Sequence, residues 1–180
     1  MKFLFVLISL FLFEMVSEKN IRQTDVNSSW NDSLEVKPTV FFNTFSFLFP
    51  PSYISENDNT SGSTFDILYF DSPDSTVWIK IRKEKTKSSL ELCKSTCEFM
   101  APRFYKGEIH RSEYITVNNH TVYYFEMTGY WNKSKVKESW MRFYTIQNGY
   151  LYWGMFKFPE KQLNGSVKLR EQIVQSIQFI

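Results

Sequence analysis

At 180 residues the chain is long enough for one domain with a real core, and 18 Phe, 10 Tyr and 5 Trp bring its aromatic content to 18 %. The formal charge is +2, and apart from Lys80–Lys87 the Lys and Arg residues are scattered, so no basic footprint for nucleic acid is present. Gly and Pro are scarce, at 6 of each, and the composition agrees with a globular domain.

The chain opens with Lys2 and the apolar run Phe3–Phe13, stopped by Glu14. That run is far shorter than the roughly 20 residues needed to span a bilayer, and its charged lead suits a secretory signal peptide. Cleavage after Ser17 is expected, giving a signal peptide over 1–17. No Cys directly follows the apolar run, so no lipid anchor and no stable membrane span is expected after cleavage. The mature protein is expected in the periplasm or outside the cell. Glu18–Lys37 is polar and reads as a flexible leader, which places a single domain over 38–180.

Thr39–Phe49 opens that domain, and the alternation of Phe45, Phe47 and Phe49 is the period of a strand, ended by Pro50-Pro51. Ser55–Ser63 is a polar loop. Strands are expected at Phe65–Phe70 and Val77–Arg82, joined by the turn Asp71–Ser75. Ser88-x-x-Glu91 has the spacing of a capping box, in which each side chain satisfies the other residue's unpaired backbone N–H. From it Cys93, Cys97, Met100 and Phe104 form one helical stripe, and Pro102 should end the helix near Ala101.

A four-stranded antiparallel meander is expected next. Glu108–Val117 turns at Asn118–His120 into Thr121–Thr128, and Trp140–Gln147 turns at Asn148-Gly149 into Tyr150–Phe158. Asn-Gly favours a type I′ hairpin because both residues tolerate positive φ. A closing helix begins near Pro159 or after Gly165 and runs to about Ser176, with Leu169, Ile173, Val174 and Ile177 inward and Lys168, Arg170, Glu171 and Gln175 toward water. Both faces of the meander strands carry bulky residues, so both should be covered. The fold class is α+β, a mainly antiparallel sheet with helices on its faces.

The order of these elements resembles the PsbP/Mog1-like family of α/β/α sandwiches. The landmarks are Phe45-Ser-Phe-Leu-Phe-Pro50, the strand pair before the helix at Ser88–Ala101, the meander, Tyr150-Leu-Tyr-Trp-Gly-Met-Phe156, and Ile173-Val-Gln-Ser-Ile-Gln-Phe179. The resemblance covers about residues 40–180. It implies a fold used for binding, in extrinsic photosystem subunits, small-GTPase-binding proteins and bacterial envelope proteins, without a shared active site.

The chemistry-bearing residues are few. Cys93 and Cys97 could form a disulfide, bind a soft metal, or lie as buried thiols on the helix stripe. His110 and His120 have no metal-ligand spacing to any Cys, His or carboxylate, and neither a nucleophile elbow nor a phosphate loop occurs. No catalytic residue, cofactor or metal is expected. Asn27, Asn31, Asn59, Asn119, Asn132 and Asn164 stand in Asn-x-Ser/Thr sequons within expected leader, loops or turns. They are glycan acceptors if the source is eukaryotic and a by-product of polar loops if it is bacterial, the reading that the resemblance favours. Tyr130, Trp131, Trp140, Tyr150 and Trp153 are candidate partly exposed binding aromatics. The expected function is an exported, non-enzymatic binding or accessory protein of the cell envelope, with another protein or complex as partner. The alternative is a small secreted enzyme or a metal or redox protein using the cysteine pair.

Overall fold

The computed structural model describes residues 30–55, 60–62, 64–131 and 134–180. The expected signal peptide, most of the expected leader, part of the Ser55–Ser63 loop and residues 132–133 lie outside them.

Thr39–Phe49 supplies two strands, not one. β1 (Lys37–Phe41) and β2 (Phe45–Phe49) form a hairpin whose bend lies at Phe42 and Asn43, both with φ of 55°. In β2 the alternate rings Phe45, Phe47 and Phe49 are buried. Two short strands, β3 (Ile54–Ser55) and β4 (Thr60–Ser61), both pair with β5 (Phe65–Asp71), which pairs with β6 (Trp78–Lys85). The β5–β6 turn is built by Ser72 and Asp74. The Ser72 Oγ accepts the backbone N–H groups of Thr76 and Val77 at 3.1 and 2.9 Å and donates to Asp74.

The meander follows as expected: β7 (Glu108–Val117), β8 (His120–Tyr130), β9 (Lys137–Gln147) and β10 (Tyr150–Pro159). Asn118 and Asn119, then Asn148 and Gly149, all have positive φ, the conformation a two-residue primed turn requires. Together these strands make an eight-stranded sheet in the order β3-β5-β6-β10-β9-β8-β7, with β4 also on β5. A second sheet, β1-β2-β11, is closed by β11 (Gln178–Phe179).

Each face of the large sheet has its own cover. Helix α1 (Leu90–Phe104) lies over β7, β8 and β9 on one face. The small sheet and helix α2 (Val167–Gln175), preceded by 3₁₀ turns at Glu160–Gln162 and Asn164–Ser166, cover the other. The first core contains Cys93, Cys97, Ala101, Trp140 and Trp153, and the second is a phenylalanine cluster around Phe45, Phe47, Phe143 and Phe156.

The structure corrects further readings of the sequence. The described end of the expected leader belongs to the fold: Trp30 is fully buried against Tyr53, Phe156 and Phe158. Its neighbour Asp32 accepts the Leu169 N–H at 3.0 Å and donates its own N–H to the Gly165 carbonyl. The cap of α1 is Ser89, whose Oγ accepts the Leu92 N–H, rather than Ser88. Glu91 therefore closes no capping box and instead accepts the Tyr114 hydroxyl at 2.7 Å. The helix runs through Pro102 to Phe104, and just beyond its end the Ala101 carbonyl accepts the Gly107 N–H. Its buried stripe is Cys93, Thr96, Cys97 and Ala101, while Met100 is half-buried and Phe104 is 60 % exposed. Finally, Arg170 does not face water: it is 3 % exposed and points under the sheet to Glu126.

The exit of α1 depends on close backbone approach. A Cβ on Gly129 would lie 2.8 Å from the Tyr105 carbonyl and 3.1 Å from the Gly107 Cα, so the chain can cross β8 there only over glycine.

Candidate functional site

On the α1 side, the register of β5, β6, β10 and β9 sets side chains into cross-strand rows. One row runs Tyr69, Lys80, Met155, Arg142; the next runs Ile67, Arg82, Trp153, Tyr144. A third, toward the sheet end, runs Asp71, Trp78, Lys157, Trp140. Because residues directly opposite in antiparallel strands point to the same face, these rows build one aromatic and cationic surface.

Its cations lie against rings. The Lys80 ammonium is 5.6 Å from the Tyr69 ring centre and 5.2 Å from that of Trp153. Lys157 lies between Trp78 and Trp131 at 5.8 and 5.7 Å. Such contacts are worth about 0.5–2 kcal/mol, more as the cation is desolvated. Lys80 and Arg142 are each only 2 % exposed. Two acids balance part of this charge. Arg82 pairs with Glu84 at 2.6 Å, and Lys157 with Glu138 at 3.6 Å. Burial raises the carboxyl of Glu84 above its ordinary range against the pull of Arg82 and Lys80, and raises that of Glu138 against Lys157.

The aromatic candidates divide. Trp140 and Trp153, expected at the surface, are 1 % and 2 % exposed: both sit on the inward parity of their strands and fill the core beneath α1. Tyr130, Trp131 and Tyr150 are half-buried. Trp131 stacks on Tyr105, with ring centres 5.6 Å apart and planes at 13°. With half-buried Trp78 and Lys157 it forms an aromatic cluster at one end of the sheet. Tyr150 lies at the opposite end of β10, with Lys83 over its ring at 4.9 Å.

Cys93 and Cys97 are buried thiols between α1 and the sheet, not joined in a disulfide. Burial, reinforced by Cys97, pushes the Cys93 thiol up to about 12. The Cys97 Sγ lies 3.5 Å from the Tyr144 hydroxyl. Neither histidine joins them: His110 bonds Thr128 at 3.0 Å, and His120 packs edge-on against Phe179. Among the described residues no three His, Cys, Asp or Glu side chains converge as metal ligands.

Of the sequon asparagines, Asn119 and Asn164 are exposed in turns. Asn31 is half-buried and accepts the Ser33 N–H at 2.9 Å. Asn27, Asn59 and Asn132 lie outside the described residues.

Lys80, Arg142, Tyr69 and Trp78 were not among the candidates of the sequence. A signal did exist in β6, where Lys80, Arg82 and Glu84 alternate with Ile79 and Ile81. That alternation reads as a wet face, whereas rings and α1 cover much of it.

No family model matches the chain, and no curated protein matches it in sequence. Solved structures do match in fold. The solution structure of cyanobacterial PsbP (CyanoP) from Synechocystis aligns with a TM-score of 0.58 at 12 % identity, covering 93 % of this chain and 99 % of that one. LpqN, involved in cell envelope biogenesis of Mycobacterium tuberculosis, aligns with a TM-score of 0.51 at 7 % identity, covering 81 % and 90 %. The fold is therefore the PsbP/Mog1-like α+β sandwich that the order of elements suggested.

Proposed function

We propose that this chain is an exported, non-enzymatic binding or accessory protein of the cell envelope, which engages a protein partner around Trp78, Trp131 and Lys157. The observation that carries this reading is the half-exposed aromatic cluster at that sheet end, held in place by the stacking of Trp131 on Tyr105. Preordered Trp and Tyr rings beside a charged group are the residues on which protein interfaces concentrate their energy. Two observations support the envelope. The apolar run Phe3–Phe13 has the form of a signal peptide, and LpqN, of the same fold, is described as acting in envelope biogenesis. No helix among the described residues is long and apolar enough to cross a membrane. Against a redox or metal role for the cysteines stands the burial that keeps Cys93 protonated at neutral pH.

The test is a pull-down from the native envelope with the unmodified chain and with Trp131→Ala and Trp78→Ala. A partner recovered by the unmodified chain and lost with both variants supports the reading. A partner retained by both variants refutes this surface. Fractionation of the producing cells checks export separately, since a cytoplasmic chain of full mass contradicts it.

A further inference from the structure

The two edges of the large sheet are finished differently. On one side β5 is flanked by β3 and β4, two residues each. On the other, β7 presents ten residues with no strand on its outer side among the described residues. A long edge strand offers a row of backbone donors and acceptors that another strand can pair.

The side chains of β7 carry more information than its backbone. Arg111 and Glu113 lie on the same face and are partly exposed, and within one chain Arg111 already contacts Glu113 at 2.6 Å. Consider two copies joined antiparallel through β7 about a two-fold axis perpendicular to the sheet, which keeps like faces together. A register centred on Arg111 sets two arginines opposite each other, and one centred on Glu113 sets two glutamates opposite. The register centred on Ser112 sets Arg111 of each copy opposite Glu113 of the other, twice by symmetry. The same axis keeps both α1 helices on one side of the joined sheet. On that side Tyr114, itself on β7, is 40 % exposed.

We propose that β7 is a self-association edge, through which two copies of this chain join their large sheets antiparallel with Arg111 of each set against Glu113 of the other. The occupant is a second copy because the charge sequence of the edge is complementary to itself in that register. This edge is distinct from the cluster around Trp78 and Trp131, so dimerisation and partner capture can succeed or fail independently.

The experiment is sedimentation equilibrium of the purified chain across a wide concentration range, for the unmodified protein, Arg111→Glu, Glu113→Arg and the double exchange. Each single reversal replaces two attractive cross-strand pairs with two repulsive ones and should raise the dimer dissociation constant about tenfold or more. The double exchange restores the pairing and should return it to within about threefold of the unmodified value. A monomer at every concentration overturns the proposal, as does a dimer indifferent to the single reversals. Should a reversal fail to fold, hydrogen exchange of the unmodified chain decides. Amides of Glu108–Val117 must gain protection as concentration rises, and constant exchange there overturns the proposal.

Discussion

The carboxylate of Asp32 accepts the backbone N–H of Leu169, 137 positions away, at 3.0 Å. Helix α2 begins at Val167, and its own N-cap, Ser166, makes no side-chain capping bond. Asp32 therefore satisfies one of the orphan donors of the helix start from the far end of the sequence. Asp32→Ala should cost about 1 kcal/mol, read as a lower urea midpoint with unchanged slope, and Asp32→Asn should retain most of it. Trp30→Ala, which empties a ring-lined site, should cost about 3–5 kcal/mol. A Trp30→Ala variant as stable as the unmodified chain would mean that this segment is only laid against the domain.

Arg170 and Glu126 form the most buried ion pair described, with Nε to Oε1 at 2.7 Å. Tyr124 donates its hydroxyl to the same carboxylate oxygen, and Arg170 reaches the Leu163 carbonyl and the Ser166 hydroxyl. Removing one charge strands the other away from water. Arg170→Ala is expected to cost about 3–5 kcal/mol in denaturant unfolding, and Arg170→Met with Glu126→Leu to recover much of that loss. Two single variants with costs that simply add to that of the pair would contradict the coupling.

The cysteines should be silent in the native state. With the Cys93 thiol pushed up to about 12 by burial, almost none is ionised at pH 8. A chromogenic disulfide reagent is expected to label neither cysteine in the unreduced folded protein and both after unfolding in denaturant. Failure to label after unfolding would mean that a disulfide forms in the native environment.

Asp74 sets one pH dependence. Its burial would raise the carboxyl, but hydrogen bonds from Ser72 and Thr76 prevail and hold it below its ordinary 3.8. A carboxyl lowered on folding stabilises the folded state above its unfolded value, and that contribution is lost as pH falls through the folded one. Asp74→Asn should therefore flatten part of the stability loss below about pH 4 and leave its neutral-pH trend unchanged. An unaltered acid limb in this variant would exclude the turn as a contributor.

Much of the fold was legible because its signals are local. Asn148-Gly149 specifies a hairpin from two residues, and Leu169 and Ile173 specify the inner side of α2 by spacing alone. What escaped was decided across the chain. Arg170 has the sequence neighbours of a surface residue, and only Glu126, on a strand 44 positions earlier, makes its burial tolerable. Trp30 stands in a polar stretch, so its burial depends on Phe156 and Phe158 lying beside it in space. Ser88 and Ser89 offer nearly the same cap, and the pull of Tyr114 on Glu91 accompanies the choice of the second. The candidate site was the least legible part, because Lys80 and Arg142 are charges on alternating strands whose covering cannot be seen in their own segments.

The small sheet ties Phe45 and Ser46 to Phe179 and Gln178. The meander from Glu108 to Pro159 can form from neighbours alone, but the phenylalanine-lined face must wait for residues 177–179 before its cover is complete. Closing that long loop costs chain entropy before its contacts can form. During synthesis at the ribosome the domain therefore stays open on its most apolar side until residues 177–179 have emerged. A domain with that order of events remains threadable through a narrow channel until its closing strand has been made, and it needs protection from aggregation for as long.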